Sequence, residues 1–104
     1  MGQNIERPGA LRIEGEAIAR FTLLRGDTPL QHYPRRAKER GIDGFVTVDL
    51  LLNETGQVLE AQVLAESPLG EGFGLAALDT AKTYEFANPL NRLVLFALTI
   101  EFAP

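Results

Sequence analysis

Apolar and polar positions alternate most cleanly between Phe45 and Leu52. Val46, Val48, Leu50 and Leu52 fall on one side of an extended chain, and Phe45, Thr47, Asp49 and Leu51 on the other. A side-chain period of two is the signature of a strand. Asn53-Glu54-Thr55-Gly56 is a compact polar turn, and strand character resumes from Val58 to Ala65. Together the two runs predict a β-hairpin. Another strand is predicted over Leu93–Phe102, where Val94, Phe96, Leu98, Ile100 and Phe102 form one face and Leu93, Leu95, Ala97, Thr99 and Glu101 the other. Both of its faces are largely apolar. Such a strand is an aggregation hazard at a bare edge, so something is expected to cover it.

Two helices are predicted between these strands. Pro34 opens the first, Arg35 to Arg40 continue it, and Gly41 is placed to stop it. Leu75 to Tyr84 carry the second, with Leu75, Ala77, Leu78 and Ala81 as a narrow apolar stripe and Asn88-Pro89 as its end. Upstream, residues 1–10 are polar and contain Pro8 and Gly9, which reads as a loose end. Leu11 to Leu24 alternate only in part and are broken by Gly15, which predicts a further strand over 11–24. This segment, Ile13-Glu14-Gly15 with Ala17, Ala19, Phe21 and Leu23, echoes Ile42-Asp43-Gly44 with Val46, Val48, Leu50 and Leu52. A partial internal repeat and a chance coincidence of short strands both account for the echo.

The expected fold is therefore α+β: a two-layer sandwich in which an antiparallel sheet of three or four strands carries two helices on one face. At 104 residues one domain is expected. The formal net charge of -4 argues against nucleic acid as a partner, because phosphate binding needs clustered Lys and Arg. There are no cysteines, which removes disulfides, thiolate chemistry and cysteine metal sites. No run approaches the roughly 18 apolar residues of a membrane span. The chain is expected to be soluble as it stands, any targeting segment having been cut away.

Candidate chemistry is sparse. His32 is the only histidine and has no His or Cys partner for a metal, so it reads as a surface or packing imidazole. Gly70, Gly72 and Gly74 follow a strand and precede a helix, the setting of a phosphate-binding loop. The spacing is wrong for a dinucleotide fingerprint, no Lys-Ser or Lys-Thr follows, and Glu71 would repel a phosphate. Fourteen acidic residues make carboxylate pairs such as Glu14 with Glu16 unremarkable. Arg35, Arg36, Lys38 and Arg40 cover most of the circumference of a short helix, which describes a solvated face or a landing surface for an acidic partner. No enzyme activity and no cofactor are expected. Domains of this kind more often bind than react.

Several residues, taken in order, resemble the C-terminal domain of TonB-type energy transducers. The residues that carry the resemblance are Tyr33-Pro34, Ala37, the run Gly44, Val46, Val48, Leu50 and Leu52, the turn residue Gly56, then Val58, Val63 and Ser67. Phe73, Ala76, Ala77 and Leu78 match the start of the family's second helix, and Tyr84 and Phe86 its end. Departures from the family pattern are Gly74 in place of an Asp, Tyr84 in place of a Trp, Pro89 one residue late, and a glutamine displaced to Gln31.

This resemblance implies a TonB C-terminal-like domain over 29–104, with 1–28 as an N-terminal extension. It implies a periplasmic location and a tether to the inner membrane, through which proton-channel partners would be engaged. The expected partner is a short peptide of an outer-membrane receptor, or another envelope protein, adding as a strand beside the last strand of the domain. Partner contacts are expected at Gln31, Tyr33 and Pro34 and along Leu95, Ala97, Thr99 and Glu101. The alternative is an envelope scaffolding module or homodimer with the same fold and no receptor coupling. A third reading, a small-molecule binder, would use Gly70–Gly74.

Overall fold

In a computed structural model that describes residues 2–104, the alternating run becomes the centre of the molecule. Strand β3 (Gly44–Leu52) turns back into β4 (Val58–Ser67) as an antiparallel hairpin, and the last strand, β6 (Val94–Phe102), lies antiparallel on the other side of β3. A two-residue strand, β1 (Leu11–Arg12), pairs in parallel with the start of β6, giving the order β1-β6-β3-β4. There are two helices, α1 (Arg35–Glu39) and α2 (Phe73–Ala81), and strands β2 (Leu23–Arg25) and β5 (Glu85–Phe86) pair into a small second sheet. The expected α+β fold is the observed one, with the refinement that its fourth strand is parallel.

Local chemistry explains the element ends. Asn53 accepts the backbone N–H of Thr55 (3.1 Å) and Gln57 (2.9 Å), closing the β3–β4 turn. Gly56 completes it at φ 89°. A Cβ there would lie 1.7 Å from the carbonyl oxygen of Phe86, so the turn also fixes the approach of β5. Helix α1 stops as expected: the Ile42 N–H donates to Ala37 O (2.8 Å) and the Gly41 N–H to Lys38 O (3.1 Å), with Gly41 at φ 67°.

The second helix is shifted from the range expected for it. It runs from Phe73, not Leu75, and ends at Ala81, before Tyr84. Its buried face is Phe73, Ala76, Ala77, Thr80 and Ala81, while Leu75 is 73% exposed. The small side chains let the helix lie close on the sheet, and the Thr80 hydroxyl donates to Ala76 O (2.7 Å). The chain must leave the helix after Ala81 because Glu85 and Phe86 pair with β2.

The predicted strand over 11–24 does not form as one element. Leu11 and Arg12 pair with Val94 and Leu95, residues Gly15–Arg20 then wind into a 3-10 helix, and Leu23–Arg25 join the second sheet. Gly15 at φ 64° turns the chain off the β6 edge. Burial of Ile13 and Phe21 in the core is what holds the broken segment. Phe21 stacks on Phe96 (5.3 Å), which meets Phe86 (5.3 Å), and a second group of Tyr33, Phe73 and Phe102 fills the other end of the core.

Residues 2–10, expected to be loose, lie across the sheet face opposite the helices. Ile5 is buried with Leu51 and Leu95, and the Gln62 amide donates to Gln3 O. The anchor is Asp49, fully buried in β3. Its carboxylate accepts the Ile5 N–H (2.8 Å) and two Arg12 guanidinium contacts (2.5 and 2.8 Å). The hydrogen bond to Asp49 raises the Arg12 pKa against the opposing effect of burial.

Two substitutions test this packing. Asp49→Ala leaves the Arg12 charge and the Ile5 amide without their partner, and is expected to cost about 3 kcal/mol in urea denaturation. A loss below about 1 kcal/mol would show that the strap is not anchored there. Gly44→Ala would place a Cβ 2.5 Å from the Phe73 ring. It is expected to cost about 2 kcal/mol, lowering Tm by about 10 °C in a thermal melt.

Candidate interaction edge

The long strand β6 is shielded unequally along its length. The Leu11 N–H donates to Leu93 O (3.0 Å) and the Ile13 N–H to Leu95 O (2.8 Å). Those bonds place the backbone groups of odd-numbered residues on the outer edge, while even-numbered residues turn theirs toward β3. Beyond Leu95 the cover ends. Among the described residues, nothing pairs with the outward N–H and C=O groups of Ala97, Thr99 and Glu101. The result is an open edge of five residues, Ala97 to Glu101, with β1 standing at its upper end.

Side chains along this edge face two surroundings. Odd-numbered ones point to the sheet face crossed by the strap: Leu95 is buried under Ile5, and Thr99 and Glu101 are exposed. The Thr99 and Thr47 hydroxyls lie 3.1 Å apart. Even-numbered ones point to the core. There Leu98 and Ile100 form the floor of a cleft of about 270 Å³, walled by Leu23, Pro29, Tyr84 and Phe86. Burial pushes the Tyr84 phenol pKa up, so this wall is uncharged at neutral pH. Where β1 leaves β6, a second hollow lies among Arg12, Glu14, Ile18 and Ala97.

Of the residues expected to contact a partner, Ala97, Thr99 and Glu101 come together on the open edge, and Leu95 marks where it closes. The other three serve local structure. Gln31 accepts the Thr28 N–H (2.7 Å) in a capping box over the 3-10 turn Pro29–His32. Tyr33 is in the core, its hydroxyl donating to Ile42 O (2.5 Å). Pro34 is the N-cap of α1 and is half-buried. Leu23, Tyr84 and Phe86 were not expected at a site. They meet only because β2 pairs with β5, and strands of two or three residues leave no periodic trace in a sequence.

Other candidates find structural partners. His32 Nε2 lies 2.8 Å from Asp27 Oδ2. The Gly70–Gly74 loop already holds a carboxylate: Glu66 accepts the Gly74 N–H (3.2 Å), and a Cβ on Gly74 would lie 2.4 Å from its oxygen. A helix start occupied by the chain's own anion does not support the small-molecule reading. Within the basic helix, Arg35 pairs with Glu39 (3.2 Å), and Arg40 just beyond it with Glu71 (3.7 Å). Arg36 and Lys38 stay exposed.

These features define a small α+β domain whose four-stranded sheet has two long strands with an open edge among the described residues, β4 along its outer side and β6 from Ala97 to Glu101. Comparison with known proteins places it in a family. Residues 29–103 match the family described as Gram-negative bacterial TonB protein C-terminal, and the chain belongs to that family. The fold is similar to the solution NMR structure of the Pseudomonas aeruginosa TonB CTD, with a TM-score of 0.61 at 22% identity. That match covers 89% of this chain and 92% of the other, a larger share of this chain than residues 29–103 supply. No curated protein matches the sequence.

Amide hydrogen exchange would read the edge directly. The Ala97, Thr99 and Glu101 amides are expected to exchange at least about 100-fold faster than those of Leu98 and Ile100, which face β3. Equal protection across Ala97–Glu101 would mean that the edge is covered in solution.

Proposed function

We propose that this chain is the partner-gripping domain of a TonB-like energy transducer. It works in the periplasm, tethered to the inner membrane through a further part of the protein where proton-channel partners engage. It binds an extended peptide of an outer-membrane receptor and so helps drive active transport. The observation that carries this reading is the row of unpaired backbone groups on Ala97, Thr99 and Glu101. An extended segment laid beside them would satisfy every one, and main-chain hydrogen bonds of this kind supply affinity in strand addition. Family membership supports the same reading. Nothing in it calls for catalysis.

Proline is the discriminating substitution. Thr99 turns its N–H to the open edge, so Thr99→Pro removes a partner-facing donor and spares the β3–β6 ladder. Leu98→Pro would remove a ladder bond and destabilise the sheet. Thr99→Pro is therefore expected to fold, as judged by circular dichroism, and to weaken a synthetic receptor peptide at least about tenfold in calorimetry. Unchanged affinity in the folded variant would rule out strand addition at this edge. A concentration-dependent dimer that Thr99→Pro abolishes, seen by light scattering, would instead assign the edge to a second copy of the chain.

A further inference from the structure

The strap over the sheet is held by contacts of the kind a binding site makes. Its seat lies on the face opposite the helices, with the buried Asp49 carboxylate as its floor. Asp49 takes a backbone donor, the Ile5 N–H, and a cation, the Arg12 guanidinium. That guanidinium also donates to Ile5 O (3.4 Å). Leu51 and Leu95 take the Ile5 side chain. At the rim the Gln62 amide donates to Gln3 O, and Glu60 meets Arg7 at 3.5 Å. The seat therefore matches three features of an extended segment: an apolar side chain, the amide of that same residue, and an arginine 7 positions further on.

Two observations set this seat apart from ordinary packing. It is separable: Ile5, Leu51 and Leu95 form a small apolar cluster distinct from the main core, and the strap joins the sheet through the two residues of β1. Ile13 belongs to the main core and Gly15 beyond it is exposed, so residues 2–12 can lift while the chain stays fixed at Ile13. It is also charged at its centre. A buried ion pair adds little that well-packed apolar side chains would not supply. What it adds is selectivity, since a cation is needed to match Asp49. When the strap lifts, water hydrates the carboxylate, and the open state carries no buried unpaired charge. We infer that this face is an exchangeable docking site and that the strap is its resident occupant. The incoming occupant is an extended segment of a partner protein that carries an apolar residue and an arginine at the strap's spacing. Charge selects it: Asp49 and Glu60 each hold a cation, and an acidic segment would find no place there. The site is independent of what the open edge of β6 takes.

A capped peptide with the strap's own sequence, residues 2–13, serves as the probe, and the full chain is the receptor. In the wild type the Ile5 and Leu11 amides, which donate to Asp49 and to Leu93 O, are expected to share one hydrogen-exchange rate. That rate should be at least about tenfold faster than those of the Leu98 and Ile100 amides. Exchange of all four at the rate of global unfolding would overturn the separable strap. Arg12→Ala loosens the resident strap and leaves the seat intact. The peptide, added in trans, should bind this variant at least about tenfold more tightly than the wild type in calorimetry, because its competitor is weakened. The Arg12→Ala form of the peptide should bind the variant at least about tenfold more weakly, and Asp49→Asn in the variant chain should cost as much. Equal binding of the two peptides would overturn the docking site, as would no binding of either to a variant whose Leu98 and Ile100 amides stay protected. So would loss of the whole fold in Arg12→Ala, because the strap would then be inseparable from the core. A wild-type dimer in light scattering that Asp49→Asn abolishes would give the seat to the strap of a second copy, and would overturn its assignment to a partner protein.

Discussion

A carboxylate with no access to water sits in the central strand of this sheet, and the arrangement around it follows from the need to satisfy it. Burying an ionised Asp is costly unless hydrogen bonds and an opposite charge replace its hydration. Asp49 obtains both from one short stretch of chain, the Ile5 amide and the Arg12 guanidinium. Meeting that need draws residues 2–12 across the sheet and delivers Leu11 and Arg12 to the start of β6. The open part of the edge begins where this requirement has been met. Anchor and opening are two ends of one constraint.

Beneath the sheet, the core is held by aromatic groups at both ends. Tyr33, Phe73 and Phe102 lock α1 and α2 to the lower strands, while Phe21, Phe86 and Phe96 lock the N-terminal segment and the small sheet to the upper ones. Helices as short as these have little stability of their own, so their positions are fixed by what they bury. Gly44 and Gly74 are small because Phe73 and Glu66 occupy the space a side chain would need.

Much of the fold was legible in the sequence. The alternation of Val46 to Leu52 and of Val94 to Phe102, and the turn at Asn53–Gly56, located the three long strands, because a half-buried strand must alternate. Pro34 and Gly41 bounded α1 for reasons of backbone geometry. The N-terminal region was misread because its determinants are not periodic. Ile5 is one apolar residue in a polar run, Phe21 anchors a segment that Gly15 has already bent, and β2 and β5 are each two or three residues long. Of the predicted stripe, Ala77 and Ala81 are buried and Leu78 half-buried, but Leu75 faces solvent, and the small residues Ala76 and Thr80 complete the face that the sheet accepts. Of the edge residues, Ala97, Thr99 and Glu101 were named from the family resemblance together with the alternation of the last strand. The cleft beside them could not be named that way, since it joins Leu23, Tyr84 and Leu98 through contacts that no local pattern encodes.

The short parallel strand β1 has a mechanical consequence. Strand hydrogen bonds lie perpendicular to the strand axis, so a pull along the axis loads all of them together, whereas a pull across it breaks them in succession. A segment seated beside Ala97–Glu101 meets the end of β1 at Leu95 and cannot creep past it. β1 would thus be an abutment to any segment added there, and a tug along that segment would fall as shear on a short ladder of bonds that fail together.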